Sequence, residues 1–155
     1  MNKTNALRIL DKNDIKYEVF LYNPEITDGE KVAAVLSQPC DAVFKTLVTE
    51  ANTRENLVFV IPVCKTLDLK KAAAAGGVKN AAMIKQKQLL PLTGYIHGGC
   101  CPVGMKKQFR TFIDSSARSL AYFYISAGRT GMQIKISPDA IAKTVNAVFV
   151  DLTAD

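Results

Sequence analysis

The chain has 155 residues, 48% of them hydrophobic and 22% charged, which suits one domain with its own core. No apolar run is long enough to cross a bilayer, and Met1-Asn2-Lys3-Thr4-Asn5-Ala6 lacks the apolar stretch of a secretion signal, so a cytoplasmic protein off the membrane is expected. A net charge of +6 and a pI near 9.2 favour anionic partners such as RNA, nucleotides or phosphate, and the absence of Trp excludes a tryptophan stacking platform.

The first element expected is a helix from Thr4 to Lys12, with Ala6, Leu7, Ile9 and Leu10 at helical spacing and Thr4 or Asn2 as cap. Ile15 to Tyr22 alternates as a strand with Tyr17, Val19 and Leu21 on one face, and Asn23-Pro24 ends it. Thr27-Asp28-Gly29-Glu30 has the form of a capping box, opening a short helix that buries Val32, Ala33, Val35 and Leu36. Ser37-Gln38-Pro39 closes that helix.

Val43 to Val48 reads as a strand, with Val43, Lys45 and Leu47 on one face and Phe44, Thr46 and Val48 on the other. A polar turn over Asn52 to Asn56 and a fully apolar strand, Leu57 to Val63, complete a hairpin. Asp68 to Ala75 is a helix with four consecutive alanines, capped by Gly76-Gly77. Lys85 to Leu90 is a short helix ending at Pro91. Strands follow at Arg110 to Asp114, Leu120 to Ile125 and Met132 to Ile136, the last two joined by a tight turn over Ser126 to Gly131. Ser137-Pro138-Asp139 starts a helix with Pro at its first position, and Val148 to Val150 is a final strand. There are no repeats, low-complexity tracts or linkers. The expectation is one α+β domain over residues 1–155, built on a mixed sheet with helices around it.

Three segments stand out for chemistry. Lys45 puts one ammonium in an otherwise apolar row. Either it snorkels to water as an ordinary strand lysine, or it opens into a cavity and holds an anionic or carbonyl group, since an unpaired buried charge is costly. Gly98-Gly99 lets backbone approach a ligand and offers N–H groups to a carbonyl oxygen or a phosphate; as an isolated segment it is equally an ordinary turn. Ser126-Ala127-Gly128 follows an apolar strand, where a hydroxyl lines a pocket or simply closes a hairpin. Lys70-Lys71 and Lys106-Lys107 are solvated faces or phosphate contacts.

Cys40, Cys64, Cys100 and Cys101 are the four cysteines, and a chain of this size needs no disulfide staple. The adjacency of Cys100 and Cys101 fits neither a CxxC pair nor a zinc ligand pair, so reduced thiols are expected. His97, the only histidine, beside them leaves a thiol or metal protein as a further option, without the spacing of a structural zinc site.

Taken together, Val43-Phe44-Lys45-Thr46-Leu47-Val48, the Gly98-Gly99-x-x-Pro102-x-Gly104 loop, the Ser126-x-Gly128-x-x-Gly131 turn and Leu67-Asp68-Leu69-Lys70-Lys71 resemble the YbaK family of aminoacyl-tRNA deacylases, related to the editing domain inserted in bacterial prolyl-tRNA synthetases. The resemblance runs from Ala6 to Asp151. It implies a partly rolled mixed sheet and a free-standing enzyme that hydrolyses the ester of a mischarged tRNA, of the Cys-tRNA(Pro) type. The alternatives are a deacylase for another mischarged tRNA such as Ala-tRNA(Pro), and a non-catalytic module that binds aminoacyl-tRNA or a synthetase. The family's essential lysine falls on Lys45, its adjacent threonine on Thr46, its loop glycine on Gly98, its pocket serine on Ser126 and its early tyrosine on Tyr22. With Gly99 and Gly128 these form the expected substrate site. The resemblance further implies that the bound cysteinyl thiol attacks its own carbonyl, with no metal or organic cofactor, and that prolyl-tRNA synthetase is a possible partner. Three positions that the resemblance places in the pocket depart from the family pattern: Asp28 replaces an aromatic residue, Gln133 an acidic one, and Cys101 a frequent serine.

Overall fold

The computed structural model describes residues 2–154. The described residues form eight strands and five α-helices. They are α1 (Asn5–Lys12), β1 (Glu18–Leu21), α2 (Gly29–Val35), β2 (Phe44–Ala51), β3 (Asn56–Pro62), α3 (Leu69–Gly76), β4 (Ala81–Met83), α4 (Gln86–Thr93), β5 (Arg110–Asp114), β6 (Phe123–Ser126), β7 (Met132–Ile136), α5 (Pro138–Val145) and β8 (Val148–Val150). A short 3-10 helix, Ser115–Ser119, follows β5.

The strands form two sheets. One is a five-stranded mixed sheet in the order β4-β2-β3-β5-β8; the other is an antiparallel β1-β7-β6 sheet. The β2–β3 hairpin is antiparallel, with Lys45 opposite Ile61, while β3, β5 and β8 run parallel. A single bridge, Val43 to Tyr124, joins the sheets, and neither closes into a barrel.

Strand β3 is buried on both faces, which its unbroken apolar run requires. Val58 and Val60 face the larger core, built with α1, α5 and the inner face of the three-stranded sheet. Leu57, Phe59 and Ile61 face a second core with Ala72, Phe112 and Leu152. Helix α3 can approach this closely because its residues are small. A Cβ on Gly76 would lie 2.5 Å from Leu57 Cδ1.

Local chemistry sets the helix ends. Thr4 caps α1, its hydroxyl accepting the Leu7 N–H at 3.2 Å and donating to the Ala127 carbonyl, so the helix is tied to the turn after β6. Asp68 Oδ1 accepts the N–H groups of Lys70 and Lys71. Ser137 caps α5 with Pro138 in its first turn. The buried Asp114 accepts from Ser116 and from Leu152, pinning the C-terminal segment.

Several expectations are corrected. The cap of α2 is Asp28 rather than Thr27, its Oδ2 accepting the Lys31 N–H at 3.1 Å. Val35 is exposed, because α2 has only one covered face. Leu21 is also exposed, since β1 is an edge strand four residues long. Helix α4 continues past Pro91 to Thr93, and α3 takes in Gly76, leaving Gly77 as its left-handed cap. Lys71 is an ion-pair partner of Asp151 at 2.9 Å, not a solvated face.

The clearest correction concerns cysteine. Cys40 and Cys64 are joined by a disulfide across a Cα–Cα distance of 5.6 Å. Their positions, 24 residues apart, meet because the β2–β3 hairpin returns the chain beside its own entry. By the chain-entropy argument a loop of this size is worth about 3 kcal/mol. Reduction is therefore expected to lower the unfolding midpoint by roughly 6–12 °C, measured by scanning calorimetry with and without dithiothreitol. An unchanged midpoint would show that the bond does not hold the fold.

Candidate active site at the junction of the two sheets

A cavity of about 270 Å3 lies where the two sheets meet. Its position follows from strand pairing. Strand β2 pairs with β4 only over Thr49 to Ala51, so its outer edge from Phe44 to Leu47 carries no neighbouring strand in its own sheet. The Val63 N–H bonds to the Val43 carbonyl, and the Ile84 N–H to the Val48 carbonyl. Backbone groups alternate along the strand, so those of Val43, Lys45 and Leu47 point to β3 and those of Thr46 point outward. An unpaired edge exposes both side-chain rows. Lys45 and Thr46 therefore both line the cavity, although they belong to opposite faces.

Helix α2 and the segment before it supply Thr27, Asp28, Gly29 and Val32; the loop after α4 supplies His97, Gly98 and Cys100; and β6 and β7 supply Ser126 and Gln133. The helix lies close to the end of β3, since a Cβ on Gly29 would fall 2.6 Å from Val63 Cγ1.

Lys45 is half-buried and forms no ion pair among the described residues. Its Nζ donates only to the Val63 carbonyl, at 3.4 Å. That contact is long, so the ammonium keeps most of its capacity for a ligand. Ser126 Oγ accepts the Gly128 N–H at 3.1 Å, leaving its own proton to donate. Gln133 is 6% exposed; its Nε2 donates to the Tyr22 hydroxyl at 3.5 Å, and its Oε1 is buried with no partner. Burial raises the Tyr22 phenol pKa above the ordinary tyrosine value, against the opposing effect of the Gln133 hydrogen bond.

Of the residues singled out from sequence, Lys45, Thr46, Gly98 and Ser126 meet around one cavity. Tyr22 stands behind Gln133. Gly99 and Gly128 do not line it. Gly99 is packed on the backbone of Arg129 and Thr130, and Gly128 on Thr4 and Tyr95. The Gly99 N–H is also spent on the Ile96 carbonyl at 2.9 Å. Paired donors from Gly98-Gly99 are therefore not available; the Gly98 N–H and the outward edge at Thr46 remain. Sequence reasoning did not bring His97 or Cys100 to Lys45. Local pattern could not do so, since which residues of the loop after α4 turn toward β2 depends on the path of that loop. Of the departing pocket positions, Asp28 and Gln133 line the cavity and Cys101 does not. His97 and Asp28 are exposed at the mouth.

Cys100 and Cys101 are buried free thiols, and burial pushes both up to about 12. A raised pKa keeps the thiol neutral until pH approaches that value, so at pH 8 roughly one in 10⁴ is thiolate. Neither is then a nucleophile at neutral pH. Iodoacetamide at pH 8 is expected to leave both unmodified in the folded protein and to modify both after unfolding, as read by intact mass. Among the described residues no cluster of three or more His, Cys, Asp or Glu side chains is placed to hold a metal ion.

Known proteins share the sequence and the fold of this chain. Residues 23–144 match the model of the aminoacyl-tRNA editing domain. The chain is 41% identical over 153 residues to an Enterococcus faecalis protein named "Putative Cys-tRNA(Pro)/Cys-tRNA(Cys) deacylase EbsC", covering 97% of this chain and 93% of that one. It is 22% identical to YwhH of Bacillus subtilis over 139 residues, 84% of this chain and 88% of that protein. Two solved structures share the fold. One, a hypothetical protein APE2540, has a TM-score of 0.89 at 21% identity, covering 97% of this chain and 99% of that one. The other, described as a putative trans-editing enzyme for prolyl tRNA synthetase, has a TM-score of 0.85 at 19% identity and full coverage of both chains. Matched over most of its length by the family and by a close relative, the chain belongs to the aminoacyl-tRNA editing domain family.

Proposed function

We propose that the protein hydrolyses the ester of misacylated tRNA in trans, with Cys-tRNA(Pro) as the preferred substrate class. The observation that carries this reading is an unpaired ammonium, Lys45, in one cavity with the Gly98 loop and the unpaired edge of β2. Such a cavity accepts the aminoacyl end of a tRNA. Lys45 supplies positive charge beside the terminal nucleotide or the ester carbonyl. The Gly98 N–H, with the outward Thr46 edge, supports the developing oxyanion, at about 3 kcal/mol for a well-aimed donor.

For a cysteinyl ester, the substrate's own thiol is the nucleophile. A carbon–sulfur bond forms at the carbonyl as the ester carbon–oxygen bond breaks, the thiol proton passes to the departing ribose hydroxyl, and water then opens the released thiolactone to free cysteine. The protein holds the two groups together, and proximity supplies much of the rate. Gln133 bears on the amino acid chosen. Its amide keeps an unpartnered end against the cavity, and a thiol or hydroxyl satisfies it where a methyl group does not. The 41% identical relative named for Cys-tRNA(Pro) and Cys-tRNA(Cys) supports the same choice. Prolyl-tRNA synthetase, which presents tRNA(Pro), is the partner this reading implies, and the cytoplasm is the compartment.

Hydrolysis is tested with Cys-, Ser- and Ala-charged tRNA(Pro) beside Cys-tRNA(Cys). The expected order is Cys fastest and Ala slowest, with Gln133→Leu narrowing the gap between Cys and Ala about tenfold. Spontaneous rates for all four substrates would reject the enzyme and leave a binding module. Equal rates for Cys and Ala would reject the substrate-thiol route in favour of a positioned water, for which His97 and Asp28 at the mouth are the available bases.

A further inference from the structure

The editing reading uses neither Cys40 nor Cys64, yet their bond sits against the proposed site. Cys40 lies between α2 and β2, so it follows the helix that carries Asp28, Gly29 and Val32. Cys64 directly follows Val63, which touches the site in three ways. Its carbonyl accepts Lys45 Nζ, its N–H bonds to the Val43 carbonyl, and its side chain meets the Cα of Gly29 so closely that no Cβ fits between them. Cys40 itself packs with Ala33, Val43, Val63 and Tyr124, a small cluster beneath the junction of the two sheets. The bond thus ties the helical wall of the cavity to the strand wall that holds the lysine.

Both sulfurs belong to half-exposed residues, unlike Cys100 and Cys101, which are buried. The chain therefore carries two sealed thiols and one accessible pair. We propose that Cys40 and Cys64 form a reversible oxidation site for low-molecular-weight thiols and disulfides, and that its redox state sets the geometry of the Lys45 cavity. The consequence for deacylation rests on the function proposed above.

The chemistry is thiol–disulfide exchange. A thiolate of an external dithiol attacks one sulfur of the pair, breaking the Cys40–Cys64 bond and forming a mixed disulfide. The second thiolate of the reagent displaces the protein sulfur and leaves as a cyclic disulfide. Two electrons and two protons pass to the protein, giving two thiols, and oxidation by a disulfide reverses each step. With the bond intact, α2 and Val63 are held together. With it open, the hydrogen bonds of Val63 and the packing of Ala33, Val43, Val63 and Tyr124 remain, so the wall loosens without being lost. The oxidised form is the better positioned for catalysis, and reduction is expected to lower kcat/KM about tenfold, chiefly through KM.

The test uses the full chain, equilibrated with dithiothreitol or its oxidised form and then freed of reagent. Iodoacetamide labelling followed by intact mass is expected to add two groups to reduced protein and none to oxidised protein. Hydrogen exchange is expected to quicken over residues 28–35 and 43–47 on reduction. Deacylation of Cys-tRNA(Pro) is expected to fall about tenfold, and the Cys40→Ser/Cys64→Ser variant to stay at the lower rate under both conditions. A pair that resists both reagents, or equal exchange and equal rates in the two forms, overturns the proposal. So does a redox response that survives in the double serine variant. If neither form hydrolyses any ester while labelling and exchange change as stated, the deacylase reading fails and the oxidation site stands.

Discussion

Lys45→Ala is expected to lower kcat/KM for Cys-tRNA(Pro) hydrolysis by about 10²- to 10³-fold while leaving the protein folded. The two halves of this expectation come from the same geometry. Lys45 is half-buried and free of any carboxylate among the described residues, and its one internal contact is a 3.4 Å bond to the Val63 carbonyl. Removing it leaves no stranded counter-charge, so the unfolding midpoint should move by no more than a few degrees. In a cavity that shields the ester from bulk water, the same charge is worth far more to the reacting group than to the fold. Lys45→Arg tests shape against charge: its planar fork keeps the charge but cannot take the place of a compact ammonium, so recovery should be partial. Rates measured under single-turnover conditions decide the matter. A Lys45→Ala enzyme within threefold of the parent would remove Lys45 from the mechanism.

The second large effect separates two adjacent glycines. Gly98 has φ of +85°, and a Cβ there would lie 2.8 Å from Thr27 Cγ2 and 2.9 Å from Thr27 Cβ. Thr27 lines the cavity, so Gly98→Ala should displace the wall and cost about 10²-fold in rate, with about 1–2 kcal/mol of stability lost to the left-handed backbone. Gly99 does not line the cavity. The three atoms nearest a Cβ there are all backbone, at 2.9 Å: Arg129 C, Arg129 Cα and Thr130 N. Backbone cannot rotate aside, so Gly99→Ala should destabilise by about 2–3 kcal/mol. Its remaining activity, measured well below its melting point, should exceed that of Gly98→Ala. The reverse ranking of rates would mean that the Gly98 segment does not shape the site.

The hairpin that carries Lys45 was legible because an unbroken apolar run, Leu57 to Val63, must be buried on both faces, and that places its partner strand centrally. The grouping of Lys45, Thr46, Gly98 and Ser126 came from the family resemblance that their motifs carry, since each segment alone also reads as an ordinary strand or turn. What was not legible depends on edges. Alternation placed Lys45 and Thr46 on opposite faces, which is true of the strand. It says nothing about where pairing stops, and the cavity exists because β4 pairs only from Thr49 onward. Gly99 looked like a donor because glycine permits many conformations; which N–H is already spent depends on the turn the chain chooses. The Cys40–Cys64 bond was hidden for a similar reason. Cysteine spacing reports sites made within one segment, whereas this pair is brought together by a hairpin closing between them. Helix α4 passing through Pro91 shows a local signal overridden: the ring removes one N–H donor, yet the helix runs on to Thr93.

The division of the strands into two sheets also bears on how the protein is made. The floor of the cavity is complete once β2 and β3 have paired, but Ser126 and Gln133 come from the other sheet, 80 residues and more after Lys45. A chain emerging from the ribosome with only its first hundred residues free already exposes the cationic edge of β2 and has nothing opposite it. Until Tyr124 arrives to bridge Val43, that edge is an open template for any extended segment nearby. Late synthesis of β6 and β7 therefore both finishes the site and seals the strand most able to recruit a neighbouring chain, and variants that slow their docking should show themselves first as aggregates and only second as weak enzymes.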